Sequence, residues 1–199
     1  ELAASLNDRR PLIVSIAAGI TLTALERWFG LEAALVRCMP NTPALVGSGA
    51  SGLFANARVS AAQRDIADQL LGAVGLSVWV DSEADIDSVT ALSGSGPAYF
   101  FLMMEAMQES AIKLGLTPAM AKSLTYQTAL GAAQLAIASE EDTAQLRRNV
   151  TSPNGTTERA INHFEDGGLR QLVDGALTAA HDRSVELAGE VHSLLQPHK

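Results

Sequence analysis

One cysteine, Cys38, stands in 199 residues. No disulfide can close within one such chain, so a stapled secreted scaffold is excluded and a reducing cytoplasm is the expected compartment. Positive charge is scarce as well: 14 Lys and Arg face 22 Asp and Glu, a formal net charge of −8. Nucleic acids and anionic membrane surfaces reward basic patches, so neither is an expected partner. No apolar run reaches the roughly 18 residues of a transmembrane helix. The opening ELAASLNDRR is polar and is not expected to be a signal peptide. His163, His181, His192 and His198 show no ligand spacing and no H-E-x-x-H occurs, so no metal centre is expected.

A phosphate cradle is also missing. Gly47, Gly49 and Gly52 in GSGASG spell G-x-G-x-x-G, but LFANARVS follows, which reads as strand and turn. A nucleotide fingerprint must follow a strand and open a helix. GSGASG is therefore expected to be a loop and strand entry. Either the first half of the chain binds no dinucleotide, or it starts part-way through a Rossmann domain. The absence of an initial Met and the short stub before the first buried strand favour the second.

Two compositional regimes are present. LIVSIAAG (Leu12 to Gly19) is a continuous apolar run closed by Gly, the pattern of a buried parallel strand. AALVRCMP, SGLFAN and LSVWVD supply three more strands. Between them, Thr21 or Thr23 is expected to cap a short helix, with Glu26 completing a capping box, and Ser60 to open a helix to about Val74. Strand and helix in alternation imply an α/β sheet with helices on its faces. Beyond Asp81 the strand signal ends. Helices are expected from Pro97 to Gly115, from Pro118 with Thr117 as cap, from Thr143 to Asn149, from about Thr156 to Asp166, and from Leu169 onward. The expected fold is thus α/β plus all-α, a partial Rossmann-type parallel sheet (1–82) followed by an all-helical dimerisation domain (83–199). Many of these helices are apolar nearly all round and must be buried, which a small domain cannot do alone. An intertwined dimer is the expected shelter. Met103, Met104 and Met107 read as core or dimer contacts, and Cys38, with only Arg37 as a cationic neighbour, as a small buried residue.

Three loops of small polar residues remain: RCMPNTPALVG, VTALSGSGPAYF and TSPNGTTERA. The first follows a strand, and ligands of open α/β sheets bind beyond the carboxyl ends of strands. The last heads a helix, where unpaired backbone N–H groups and the helix dipole favour an anion. Helix capping is the plainer reading of VTALSGSGPAYF, and it stays open for TSPNGTTERA, where Thr156 or Thr157 would be the cap.

Together the stretches SIAAGIT, RCMPNTPALVG, DSVTALSGSGPAYFF and LRRNVTSPNGTTERAINHFE resemble the pyrroline-5-carboxylate reductase family. The resemblance covers most of the chain. In the last stretch Val150, Thr151, Ser152, Pro153, Gly155, Thr157 and Ala160 fall on the family signature. It implies an NADPH- or NADH-dependent enzyme that reduces a cyclic imino acid to proline, the last step of proline biosynthesis. It also implies a homo-oligomer, a dimer through the helical domain or a larger assembly, and a missing first half of the Rossmann domain. By resemblance Thr157 is the catalytic residue, an orienting hydrogen-bond partner near the ring nitrogen. Val150, Ser152, Gly155, Thr156 and Thr157 contact the substrate, and Glu83 and Glu140 face the ring nitrogen. Ala17, Ala18, Asn41, Thr90 and Asn149 border the cofactor. Two other readings stay open. Related hydroxyacid dehydrogenases carry a Lys four residues before an Asn, but Lys113 precedes Thr117 and Lys122 precedes Tyr126 here. A non-catalytic helical dimerisation module is the second.

Overall fold

A computed structural model describes residues 11–194 of the chain. The opening ELAASLNDRR, His198 and the side chain of His192 lie outside the described residues. Two compact units are present among the described residues: 11–97 together with 176–194, and Ala98–Gly175.

The first unit is built on four strands in the order β1 (Leu12–Ser15), β2 (Ala34–Met39), β3 (Gly49–Ala55) and β4 (Gly75–Trp79). Side chains alternate between faces along a strand. On one face Leu35 meets α1 (Leu22–Phe29) through Leu22 and Leu25. On the other, Val36, Cys38 and Leu53 meet α2 (Ala61–Gly72) through Ala67 and Leu71. The sheet is mixed where a parallel one was expected. β1 pairs with β2 and β3 with β4 in parallel, but β2 and β3 are antiparallel. The connection from Pro40 to Ser48 explains this: it holds only the 3₁₀ turn Thr42–Val46 and is too short for the crossover that a parallel pair needs.

Cap chemistry sets the helix ends. Ser60 and Gln63 close the expected capping box at α2. Thr21 caps α1 by accepting from the Ala24 N–H. The expected box with Glu26 does not form, because Glu26 sits beyond the third helical position and instead accepts from Asn56 Nδ2 at 3.3 Å. GSGASG lies partly within β3, where Gly49 and Gly52 serve packing: a Cβ on Gly52 would stand 2.6 Å from Val89 Cγ1. Gly47 instead ends the 3₁₀ turn at φ 69°. Cys38 is buried, and desolvation pushes its thiol up to about 11 against a weaker opposing hydrogen bond with Ser51. Iodoacetamide at neutral pH is expected to leave Cys38 unmodified in the folded protein and to label it in urea, read by intact mass; labelling at equal rates would contradict its burial.

After β4 the chain runs through α3 (Asp85–Val89), a π-helical turn (Thr90–Gly94) and α4 (Gly96–Lys113). By composition the boundary falls near Ser82. By packing, residues 83–97 group with the sheet, because Ile86 is buried and Val89 fills the space left by Gly52.

Most of α4, then α5 (Pro118–Ala138), α6 (Thr143–Asn149), α7 (Thr156–Asp166) and the first residues of α8 (Leu169–Leu194) form the second unit. Thr117 caps α5 with Pro118 behind it, and Asp142 caps α6. Within this unit little is buried: Ala121 and Thr125 of α5 are, while Phe100, Phe101, Met107, Leu130 and Ile137 stand exposed.

Candidate functional site

In the first unit the chosen residues gather on two features. β1 runs out into Ile16, Ala17 and Ala18, all exposed, before Gly19 turns at φ 74° toward α1. Asn41 sits just past the end of β2 and both ends of its amide are engaged. Nδ2 donates to the Ser93 carbonyl at 3.0 Å, and Oδ1 accepts from the Ala50 N–H at 2.8 Å. Asn41 thus ties the end of β2 to β3 and to the π-helical turn. Thr90 opens that turn, and its hydroxyl donates to the Ile86 carbonyl at 2.7 Å. π-helical turns cluster at functional sites because they redirect a helix without ending it. Here the turn delivers the chain into α4 with Gly94 against Met39.

Glu83 is engaged within the first unit through one carboxylate oxygen. Its Oε1 accepts from Arg37 Nη1 at 2.8 Å and from the Leu22 N–H at 2.7 Å. It neutralises an arginine that the sheet buries and occupies the head of α1. Removing one partner of a buried pair leaves an uncompensated charge, so Glu83→Ala is expected to cost about 3 kcal/mol of stability in urea unfolding. A loss below about 0.5 kcal/mol would mark the pair as an ordinary surface contact.

The arrangement also bears on a dinucleotide. A pyrophosphate needs a glycine-rich turn at an uncapped helix head. Among the described residues no such turn is found: the glycines of β3 are filled by packing, and Glu83 already holds the first N–H of α1. Ala17 and Ala18 leave the end of β1 open to solvent.

In the second unit the loop Val150–Gly155 joins α6 to α7. The Gly155 N–H donates to the Ser152 carbonyl at 3.0 Å, closing a β-turn with Pro153 and Asn154 in the middle. Asn154 has φ 59°, the one non-glycine residue with positive φ among those described. Pro at the second place and positive φ at the third mark a type II turn. Gly155 caps α7 with no side-chain hydrogen bond. Neither Thr156 nor Thr157 caps this helix, because both lie inside its first turn. Val150 and Ser152 are exposed and Thr157 is half-buried. The helical bonds begin with Arg159 donating to Gly155 at 3.3 Å, so the N–H groups of Thr156, Thr157 and Glu158 point outward without helical acceptors.

Asn149 ends α6. Its Nδ2 donates to Glu141 Oε2 at 2.6 Å and its Oδ1 accepts from Gln145 at 2.7 Å, so its amide is committed within the unit. Glu140 is exposed in the turn before α6. Two features were missed at the sequence level. Glu158 accepts from the Asn154 N–H at 2.7 Å, and its place three residues after Gly155 is a capping spacing that could have revealed it. Glu165 bridges Arg147 at 3.0 Å and Arg170 at 2.7 Å, joining α6, α7 and α8, and the hydrogen bond from Arg170 first of all holds its carboxyl below the ordinary value. No sequence spacing announces that contact. No cluster of three or more His, Cys, Asp or Glu that could hold a metal occurs among the described residues, and no described helix is long and apolar enough to cross a membrane.

Residues 83–187 match the family model described as pyrroline-5-carboxylate reductase dimerisation. The pyrroline-5-carboxylate reductase of Pseudomonas aeruginosa is 62% identical over 180 residues, covering 90% of this chain and 66% of that protein. That of Pisum sativum is 42% identical over 177 residues, covering 89% and 64%. The structure of the Coxiella burnetii enzyme matches with a TM-score of 0.91 at 51% identity, over 94% of this chain and 69% of that one. A Plasmodium falciparum pyrroline carboxylate reductase with NADP bound matches with a TM-score of 0.83 at 31% identity, over 94% and 75%. The chain spans 66% or less of the length of the curated relatives it matches first. On the match of 83–187 and these likenesses, the chain belongs to the pyrroline-5-carboxylate reductase family.

Proposed function

We propose that the protein this chain represents reduces the cyclic imine 1-pyrroline-5-carboxylate to L-proline, and that the loop Val150–Gly155 with the head of α7 receives the substrate carboxylate. The observation that carries the reading is the uncapped head of α7. The heads of α1, α2, α5 and α6 each spend a side chain on a free N–H group, whereas α7 has a glycine cap and two threonines that leave those groups open. Those groups and the helix dipole suit a carboxylate. Gly155 admits its close approach, and Ser152 and Thr156 add hydroxyls at the rim. Thr157 directs its hydroxyl at the ring nitrogen.

NADPH or NADH, when bound, supplies the hydride that forms the new C–H bond. The C=N electron pair passes to nitrogen, which already carries a proton drawn from water. A protonated imine is a strong electrophile, so the protein needs no strong acid and supplies orientation and exclusion of water. Ala17 and Ala18 are the residues that would border the nicotinamide ring. Asn41 and Thr90 hold the neighbouring loops in place, and Asn149 fixes the end of α6. The working form is a homodimer through the helical unit, and the compartment is the cytoplasm, which the single buried thiol suits.

NADPH oxidation tests the reading, with 1-pyrroline-5-carboxylate and with 1-pyrroline, which lacks the carboxylate. The chain, or the chain extended to the length of its relatives, is expected to turn over only the first. Oxidation with neither imine in either protein would overturn the proposal.

A further inference from the structure

We propose that Glu158 is a positioning residue that sets the orientation of the Pro153–Asn154 peptide and so keeps the head of α7 fit for an anion; the inference rests on the carboxylate reading above. Type I and type II turns differ by a flip of their central peptide. In the turn Ser152–Gly155 that peptide joins Pro153 to Asn154. Its N–H is turned toward the first turn of α7, where Glu158 accepts it at 2.7 Å. In a planar trans peptide the carbonyl points opposite to the N–H, so the Pro153 carbonyl is turned away from the helix head. Asn154 at φ 59° is what this orientation demands, a conformation that Asn enters more readily than most L residues but less freely than Gly. Take away the acceptor and the type I form becomes the easier one. The flip then turns the negative end of the Pro153 carbonyl toward the N–H groups of Thr156 and Thr157, where the substrate carboxylate is to lie. A carboxylate on an anion site's own first turn is otherwise hard to understand. Here it contributes an acceptor for the loop, and the loop's geometry needs that acceptor rather than its charge.

The test is calorimetric titration with L-proline, the product, and with L-prolinamide, which lacks the carboxylate, on the unmodified protein, Glu158→Ala, Glu158→Gln and Glu158→Ala with Asn154→Gly. Glu158→Ala is expected to weaken L-proline about tenfold, in proportion to the lost share of competent turn. Glu158→Gln keeps an acceptor and is expected to stay within about twofold of the unmodified protein. Glycine enters positive φ freely, so Asn154→Gly is expected to restore the Ala variant to about the unmodified affinity. Helical circular dichroism is expected to be the same for all four, since the contact of Glu158 is with the loop. Unchanged L-proline affinity in Glu158→Ala, a Gln variant as weak as the Ala variant, or no restoration by Asn154→Gly would each overturn the inference alone. Equal binding of L-proline and L-prolinamide to the unmodified protein would overturn the carboxylate reading, and this inference with it.

Discussion

Thr157→Ala is expected to lower turnover of 1-pyrroline-5-carboxylate about 10- to 100-fold while leaving the melting temperature nearly unchanged. The two halves of that expectation come from one place in the fold. Thr157 is the second residue of α7, inside the first turn, and Gly155 before it does the capping. Its hydroxyl makes no hydrogen bond to another described residue. Losing a capping threonine would cost about 1 kcal/mol of stability, whereas a hydroxyl without a structural partner costs the fold little. On the proposed reading, its loss is felt at the ring nitrogen during hydride transfer. The decisive measurement is kcat with saturating imine, alongside thermal unfolding. A melting temperature lowered by several degrees with kcat intact would return Thr157 to a structural role.

The outline of the second unit was legible because its punctuation is strong. Thr117-Pro118, Thr143 to Asn149 and the Gly167-Gly168 break each mark a helix end by a local rule, and the helices begin and end there. The sheet's direction was not legible. An apolar run followed by Gly looks the same in a parallel and an antiparallel partner, and only the short Pro40–Ser48 connection decides between them. VTALSGSGPAYF reads as a loop because Ser93 to Gly96 are all Ser or Gly. Yet α3 runs into it and the π-helical turn forms there, since Ile86 and Val89 have the sheet to pack on and Asn41 holds the Ser93 carbonyl. In the candidate site, loops could be chosen from sequence but side-chain commitments could not. Glu83 has the composition of a surface acid, and only the fold brings Arg37, 46 positions back, against it. Glu158 is the exception: its spacing of three from Gly155 is a capping signal that the sequence does carry.

Light scattering on a dilute solution is expected to give at least twice the 20.9 kDa of one chain. In α4, Phe100, Phe101, Leu102 and Met103 are consecutive and all exposed, at 68%, 62%, 66% and 40%. Successive helix residues turn through about 100°, so these four sweep most of the circumference and no single neighbouring helix can cover them. Along α5, Tyr126, Leu130 and Ile137 are exposed on one side, and Leu124 and Leu135 on the opposite side, so this helix too presents apolar surface in two directions. Burying a side chain of this size is worth about 1.5–3 kcal/mol. A handful left in water forgo a gain comparable to the whole stability of a small domain, so a partner that encloses these helices from more than one direction is expected. It follows that assembly and folding of this unit are one process, with an apparent stability that rises with protein concentration. Phe101→Asp combined with Leu130→Asp is expected to lower the scattering mass and, in the same step, to remove much of the helical circular-dichroism signal. A pair of charges that yields a monomer with its helices and melting temperature intact would mean that each chain shelters its own apolar surface.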